Sequence, residues 1–314
     1  MTRRLGACFA GFLFAAVAVL SSRAEANEGL ARAIRTVVSI LPEWPPDARR
    51  LEEPEGSGVV VLDGKTILTA LHVVDKALSV QVRTSAGEIL SARVKGRDRA
   101  TDIATLEIDK ALPAITPFEG EPALGQRVCA IGNAFGLGLS VTCGVVSGTH
   151  RAGVGFNHVE DFVQTDAAVN PGASGGALVT SDGKFVGLLS AIFTKKSDAN
   201  IGMNFAVAAE LANQVAMQLR DTGRVTRPIS GMRLEQVPAK GETGRLGTRV
   251  VAIRPGSLGE KAGLKPGDII LQAGGRRVRK PADFVSAMSA LLSVDTLEVG
   301  IIRRDVPMTL KLKK

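Results

Sequence analysis

The chain has no tyrosine, one tryptophan, three cysteines and three histidines in 314 residues, and aromatic residues together make up 4%. So few rings argue against a nucleic-acid surface, where bases stack on aromatics interleaved with Lys and Arg. No nucleic-acid partner is expected. His72, His150 and His158 are far apart, and no His, Cys or Asp group has ligand spacing, so no metal site is expected. His150 and His158 read as surface residues. The glycine-rich stretch 136–144 lacks the Lys-Ser end of a phosphate loop, and no cofactor is expected. The formal charge is +8, yet the basic residues are scattered. Their one cluster, Arg276-Arg277-Val278-Arg279-Lys280, reads as a solvated loop.

Long apolar runs are also scarce. The exception, Leu5 to Leu20, follows Arg3 and Arg4 and precedes Ala24-Glu25-Ala26, the pattern of a secretory signal over residues 1–26. The run is short for a membrane span, and membrane association is expected only if this segment stays uncleaved as an anchor. Cys8 stands near the start of the run, with the apolar core after it instead of before it, which argues against lipidation. Loss of Arg3, Arg4, Arg23 and Glu25 with the signal lowers the formal charge from +8 to +6. The remainder is expected in the periplasm or outside the cell. Cys129 and Cys143 would then sit in an oxidising compartment. If 128–131 and 141–145 form a hairpin centred on Gly136, the two face one another. A disulfide and two buried thiols both remain open.

Glycine is abundant, at 35 residues, and hydrophobic residues make up 45%. With few aromatics, this favours turn-rich β structure built on Val, Ile and Leu. Short β-branched runs occur at Val59–Leu62, Lys65–Leu71, Leu78–Arg83, Ile89–Gly96 and Ala104–Ile108, separated by turn signals. A second set follows at Arg127–Ile131, Val141–Ser147, Phe162–Thr165, Gly176–Thr180, Phe185–Ile192 and Asn204–Val207. Two such sets predict two β-barrels. Before them, Ala31–Ile40 reads as helix or strand, and Leu41–Gly56, rich in proline and charge, as an exposed loop. Over Ala208–Gly223 the period changes to that of a helix, with Leu211, Val215 and Leu219 on one face and Gly223 as the stop. The domain division is therefore a signal over 1–26, a two-barrel domain over 27–223, a linker over 224–228 and a small domain over 229–314. That last domain reads as strand, loop, strand, helix, strand, strand. Its helix starts at Pro281 and carries Phe284, Met288 and Leu291 as an apolar stripe.

The most informative segment is Asn170-Pro171-Gly172-Ala173-Ser174-Gly175-Gly176, one serine in a glycine-crowded turn. A serine hydroxyl is a poor nucleophile at neutral pH and needs an imidazole to take its proton and a carboxylate to orient that imidazole. His72 and Asp102 lie upstream at the edges of separate strands. The backbone N–H groups of Gly172, Ala173 and Ser174 are candidates for an oxyanion hole, and the glycines permit the φ angles such a turn needs. A histidine closing an apolar strand is by itself more often structural, and an aspartate opening one carries still less. The order His, Asp, Ser, each at a strand edge or loop, is what gives the set its meaning.

Thr69-Ala70-Leu71-His72-Val73-Val74, Thr101-Asp102-Ile103-Ala104, Ile131-Gly132-Asn133-Ala134-Phe135-Gly136-Leu137-Gly138, the segment Gln164–Gly176 and Gly202–Val207 together resemble the HtrA/Deg serine proteases. The resemblance covers nearly all of the chain after residue 26. It implies a mostly β fold, a chymotrypsin-like double β-barrel followed by one PDZ domain, usually assembled as trimers or multiples of trimers. It implies His72 as general base, Asp102 as its orienting partner and Ser174 as nucleophile, acting on unfolded or misfolded proteins. Ala173 stands where the family commonly has asparagine, and Ala70-Leu71 where Asn-Ala is usual; neither change removes a catalytic group. In chymotrypsin-like folds the residue six before the nucleophile often floors the specificity pocket. That residue is the uncharged Ala168, with Ser190, Ala191 and Ile192 as wall and Asn204 and Phe205 opposite, so small or medium aliphatic side chains are expected. Residues 247–270 look like a PDZ core, whose carboxylate-binding loop would be Ile229-Ser230-Gly231-Met232, receiving peptide C-termini. The competing reading is an inactive chaperone or peptide-binding module.

Overall fold

The structure is a computed structural model, and it describes residues 28–46, 55–192, 202–238 and 246–314. The expected signal over 1–26 lies outside the described residues, as does 47–54 of the stretch expected as a loop over 41–56, whose first three residues are strand. Residues 28–34 form a helix, α1. Six strands then close into a barrel: β1 (Val37–Glu43), β2 (Gly56–Val61), β3 (Thr66–Ala70), β4 (Ser79–Arg83), β5 (Ile89–Asp98) and β6 (Ile103–Glu107), in the order β1-β2-β3-β6-β5-β4 with β4 returning to β1. A single turn of helix, α2 (Leu71–Val74), follows β3 directly. The sequence pattern explains each strand's place. β2 and β3 are buried along their whole length, whereas β5 alternates exposed and part-buried residues over its first half, as a strand with one wet face must.

The second barrel has β7 (Arg127–Gly132), β8 (Ser140–Arg151), β9 (Phe162–Thr165), β10 (Ala177–Thr180), β11 (Phe185–Ile192) and β12 (Asn204–Ala208), ordered β10-β11-β12-β9-β8-β7 and closed by β7 on β10. Both expected strand sets are present. The first set has one strand more than expected, because Val37–Glu43 reads ambiguously between the helix before it and the prolines after it. Cys129 and Cys143 stand directly opposite on β7 and β8 and are joined by a disulfide, S–S 2.10 Å. Phe162, Phe185, Leu188 and Phe205 fill the second barrel's main core.

Helix α3 (Ala209–Thr222) ends as expected at Gly223, whose φ of +73° is the left-handed cap that glycine adopts without a Cβ penalty. Its Leu211, Val215 and Leu219 are buried. Residues 224–228 are pinned as well as connecting. Arg227 forks onto the buried Asp98 at 2.8 and 2.5 Å.

The last domain is a sheet ordered β13 (Met232–Pro238), β14 (Leu246–Ile253), β15 (Ile269–Ala273), β17 (Thr296–Arg303), β18 (Val306–Lys313), with the two-residue β16 (Arg276–Arg277) beside β15. Two helices complete it, α4 (Leu258–Lys261) and α5 (Pro281–Met288). Phe284, Met288 and Leu291 are buried as the stripe requires. The short α4 and β16 have too few residues for a period to show in the sequence.

The domains meet in an ionic cluster that no sequence pattern announces. Asp161, nearly buried, accepts hydrogen bonds from His150 Nδ1 at 2.8 Å and from Arg276 Nη1 at 2.8 Å. His150 Nε2 lies 3.2 Å from Glu121, and Arg276 lies 3.9 Å from Glu210 on α3. Two expectations are corrected here. His150 is half-buried in a charged junction, while His158 is on the surface; and Arg276 leaves the solvated basic run to pair across the domain boundary. Burial works against a charged His150 ring, but the hydrogen bond and charge of Asp161 outweigh it, with Arg276 opposing and Glu121 assisting. The His150 pKa is thereby raised above 6.5. Burial likewise disfavours the Asp161 carboxylate, and His150 and Arg276 overcome it, so its pKa is lowered below 3.8. The stabilisation from charged His150 is therefore full below its ordinary pKa and lost as pH rises through the raised value. That from Asp161 is present above its ordinary pKa and lost as acid reaches the lowered one. Urea denaturation should show His150→Gln losing less stability than the parent between about pH 6 and pH 9. An unchanged pH dependence would contradict this account.

Candidate active site

His72 sits in α2, immediately after β3, and Asp102 sits in the turn before β6. The two strands pair, Ala70 opposite Ile103, which brings the residues together although 30 positions separate them. The Asp102 carboxylate grips His72 twice. One oxygen accepts the His72 backbone N–H at 3.0 Å and the other lies 2.5 Å from the ring Nδ1. Asp102 O also accepts Leu71 N–H at 2.8 Å. With Nδ1 held as the donor, Nε2 is left as the basic nitrogen, facing away from the aspartate. Asp102 adopts φ +56°, a left-handed conformation that aspartate tolerates better than most residues and that turns its side chain back onto α2. The cleft beside the pair is lined by Asp75, Arg99, Phe156, Asn157 and Ser190.

Ser174 comes from the second barrel, half-buried in the turn before β10. No hydrogen bond joins its Oγ to His72 among the described residues. The turn around it is defined by where its carbonyls go. Asn170-Pro171-Gly172-Ala173 is a β-turn closed by Ala173 N–H donating to Asn170 O at 3.0 Å, with Pro at the second position and Gly172 at φ +90° in the third. These are the residues a type II turn demands. Pro171 O accepts Phe135 N–H at 2.8 Å, and Ala173 O accepts Gly176 N–H at 2.9 Å. In a trans peptide the C=O and N–H point opposite ways. Anchoring those two carbonyls therefore aims the Gly172 and Ser174 N–H groups the other way, and neither has a backbone acceptor among the described residues. This corrects one expectation: the Ala173 N–H is used to close the turn, so the candidate oxyanion donors are Gly172 and Ser174 alone.

The expected specificity pocket is only partly assembled. Ala168 is exposed and its carbonyl accepts from Thr142 Oγ1 at 2.5 Å; Asn204, fully buried, donates from Nδ2 to Ala167 O at 2.8 Å. Ala191 and Ile192 pair with Phe205 and Asn204 across β11 and β12. Phe205 is corrected: successive strand residues face opposite ways, and its ring packs inward against Phe162 at 5.7 Å and Phe156 at 5.9 Å instead of walling a pocket with Asn204. Through Phe156 it backs the cleft beside His72. Among the described residues no group of three or more His, Cys, Asp or Glu is placed to hold a metal ion.

A trypsin-like peptidase domain family matches residues 56–188 and a PDZ domain family matches residues 249–293. The putative serine protease HhoB of Synechocystis is 32% identical over 290 residues, covering 86% of this chain and 68% of HhoB. The solved structure of the HtrA-type protease AlgW with a tripeptide aligns at a TM-score of 0.70 and 32% identity, covering 93% of this chain and 96% of AlgW. The chain belongs to the HtrA/Deg family of serine proteases. The periplasmic serine endoprotease DegP of Salmonella typhimurium is 34% identical over 267 residues, covering 82% of this chain; the chain spans only 56% of DegP's length.

In this HtrA/Deg chain the candidate carboxylate-binding loop has a distinct shape. Ser230 O and Gly231 O accept Gly259 N–H and Arg254 N–H at 2.9 and 2.8 Å, Gly231 has φ +70°, and Met232 N–H lies 3.4 Å from Ser230 Oγ. Ile229 is exposed, and among the described residues β13 pairs only with β14, which leaves its outer edge open to an added strand. Residues to which the sequence alone assigns no role also matter: Ser57, Thr69 and Asn133 are buried around the nucleophile turn. A serine between two glycines ahead of a β-branched run, Gly56-Ser57-Gly58-Val59, was the available signal.

A Cβ on Gly172 would lie 2.5 Å from Asn133 O and 3.0 Å from Phe135 N, at a φ that L residues resist. Gly172→Ala should therefore misdirect one oxyanion donor. Its kcat should fall about 100-fold or more, the range for losing such a donor, with His72 and Asp102 untouched. Steady-state kinetics on a peptide substrate checks this, and kcat within threefold of the parent would refute it.

Proposed function

We propose that the chain is an exported serine endopeptidase that hydrolyses unfolded or misfolded proteins, with His72, Asp102 and Ser174 as its catalytic set. The observation carrying this reading is the two-point grip of Asp102 on His72, which leaves Nε2 free, together with a turn that aims two N–H groups past Ser174. In the reaction, Ser174 Oγ attacks the scissile carbonyl carbon while its proton passes to His72 Nε2. The oxyanion is held by Gly172 and Ser174 N–H. The tetrahedral species collapses as the C–N bond breaks and Nε2 returns the proton to the leaving amine, giving an acyl-enzyme. Water then repeats the sequence, and the acid departs from Ser174. Asp102 keeps the ring oriented and stabilises its charged form throughout.

Ala168 offers no charge to a substrate side chain, which supports a preference for small or medium aliphatic residues at the cleaved position. Such residues are buried in folded proteins, so selection for unfolded chains follows from the pocket. The disulfide between Cys129 and Cys143 fits an oxidising compartment, and the relatives named as periplasmic endoproteases point to the periplasm, reached through a signal at 1–26. The free edge of β13 supports binding of peptide C-termini. Phe135, Leu137 and Val141 on the β7–β8 hairpin are exposed, as suits a face covered in a homotrimer.

The second reading, a binder without turnover, draws on one observation: Ser174 Oγ has no hydrogen bond to His72. Apo catalytic contacts are often long and tighten with substrate. Casein digestion by the parent and its loss in Ser174→Ala, with casein binding retained, is the expected result; two equally inert proteins that both suppress aggregation would favour the binder. A peptide library should show Val, Ala or Ile at the cleaved position, and dominance of Arg or Lys there would overturn the pocket assignment.

A further inference from the structure

We infer that Ser57, on β2 of the first barrel, is a positioning residue that holds the nucleophile turn of the second barrel in its oxyanion-binding shape. The inference rests on the endopeptidase reading above and deepens it. Ser57 is fully buried, and every polar atom it has is engaged across the barrel interface or behind it. Its Oγ donates to Gly172 O at 2.7 Å and accepts Asn133 N–H at 2.8 Å. Its N–H donates to Ser174 O at 3.0 Å, and its carbonyl accepts the Thr69 hydroxyl at 2.7 Å.

The direction of the central bond follows from hydrogen bookkeeping. Asn133 N–H can only donate, so Ser57 Oγ accepts there, and its single hydrogen goes to Gly172 O. Phe135 N–H already fixes the peptide before Gly172 through Pro171 O. Ser57 fixes the peptide after it. With both flanking peptide planes held, neither φ nor ψ of Gly172 is free, although glycine is the residue with the widest choice of both. The Ser57 N–H does the same for the plane that follows Ser174. Ala173, with no polar side chain, cannot brace the turn from within; the brace comes from the other barrel. The packing leaves no slack, since a Cβ at Gly175 would lie 2.2 Å from Ser57 O and 2.5 Å from Thr69 Oγ1.

Ser57→Ala removes one hydroxyl and leaves Gly172 O and Asn133 N–H without their partner. The oxyanion donors are then less firmly aimed, while substrate-binding surfaces and the His72–Asp102 pair are unchanged. The expected result is a kcat lowered at least 10-fold with KM within about threefold, and a pH profile of kcat/KM that keeps its midpoint, because the base is untouched. Ser57→Thr, which keeps the hydroxyl, should recover most of the kcat. Amide hydrogen exchange over residues 170–176 should quicken in Ser57→Ala and not in Ser57→Thr. A kcat within twofold of the parent, a loss carried by KM alone, or a variant unfolded at the assay temperature would overturn the proposal, the last because Ser57 would then serve the fold and not the turn. If the parent itself cleaves nothing, the endopeptidase reading fails, and Ser57 stands or falls on hydrogen exchange alone: unchanged exchange over 170–176 overturns it.

Discussion

A peptide unit cannot point its N–H and its C=O the same way, and this rule governs the whole centre of the molecule. To present two N–H groups to one oxygen atom, the turn at 170–176 must send its carbonyls backward into the protein. Each must meet a donor there, since a buried carbonyl left unpaired costs about 1–3 kcal/mol. The donors come from three places: Phe135 on the β7–β8 connection, Gly176 within the turn, and Ser57 from the other barrel. The site therefore exists only where two barrels meet, and the barrel interface is built around it. Asn133 ties the arrangement outward, donating from Nδ2 to Glu55, which also receives Arg83 from the first barrel.

The histidine half of the site follows a different logic. β3 and β6 pair in register, so the end of one and the start of the other are neighbours whatever their side chains. The Asp102 carboxylate then turns that proximity into orientation by binding backbone and ring of His72 at once. Rigidity here comes from a charged group satisfied in two directions, which a neutral side chain of the same size would match only in part.

How much could be read beforehand depended on whether the information was local. The barrels, α3 with its glycine cap and the apolar stripe of α5 follow from periodicity and turn chemistry, and they stand where expected. His72, Asp102 and Ser174 stand out as a candidate set because an ordinary turn needs neither so many glycines around one serine nor a histidine and an aspartate upstream in that order. Ala173 is a donor candidate by position alone, and the turn's own closure takes its N–H, a matter of which peptide folds back. Phe205 was placed beside Asn204, although strand alternation sends the two to opposite faces. His150 and Arg276 read as surface residues because their shared partner, Asp161, reaches the first through the pairing of β8 with β9 and the second only across the domain boundary. Ser57 offers only the weak local signal of a serine between two glycines, because its partners lie 76 and 115 positions away.

Leu292, which follows α5 in the last domain, is buried in the core cluster that contains Leu211, Val215 and Leu219 of α3. The two domains thus share part of one hydrophobic interior, and neither can lose its packing there without opening a gap in the other. Opening the small domain would uncover part of that interior, so the contact at Leu292 ties the stability of one domain to the other. A chain cut after α3 would keep most of that helix's apolar face covered by the barrels and would lose only the cover that Leu292 gives.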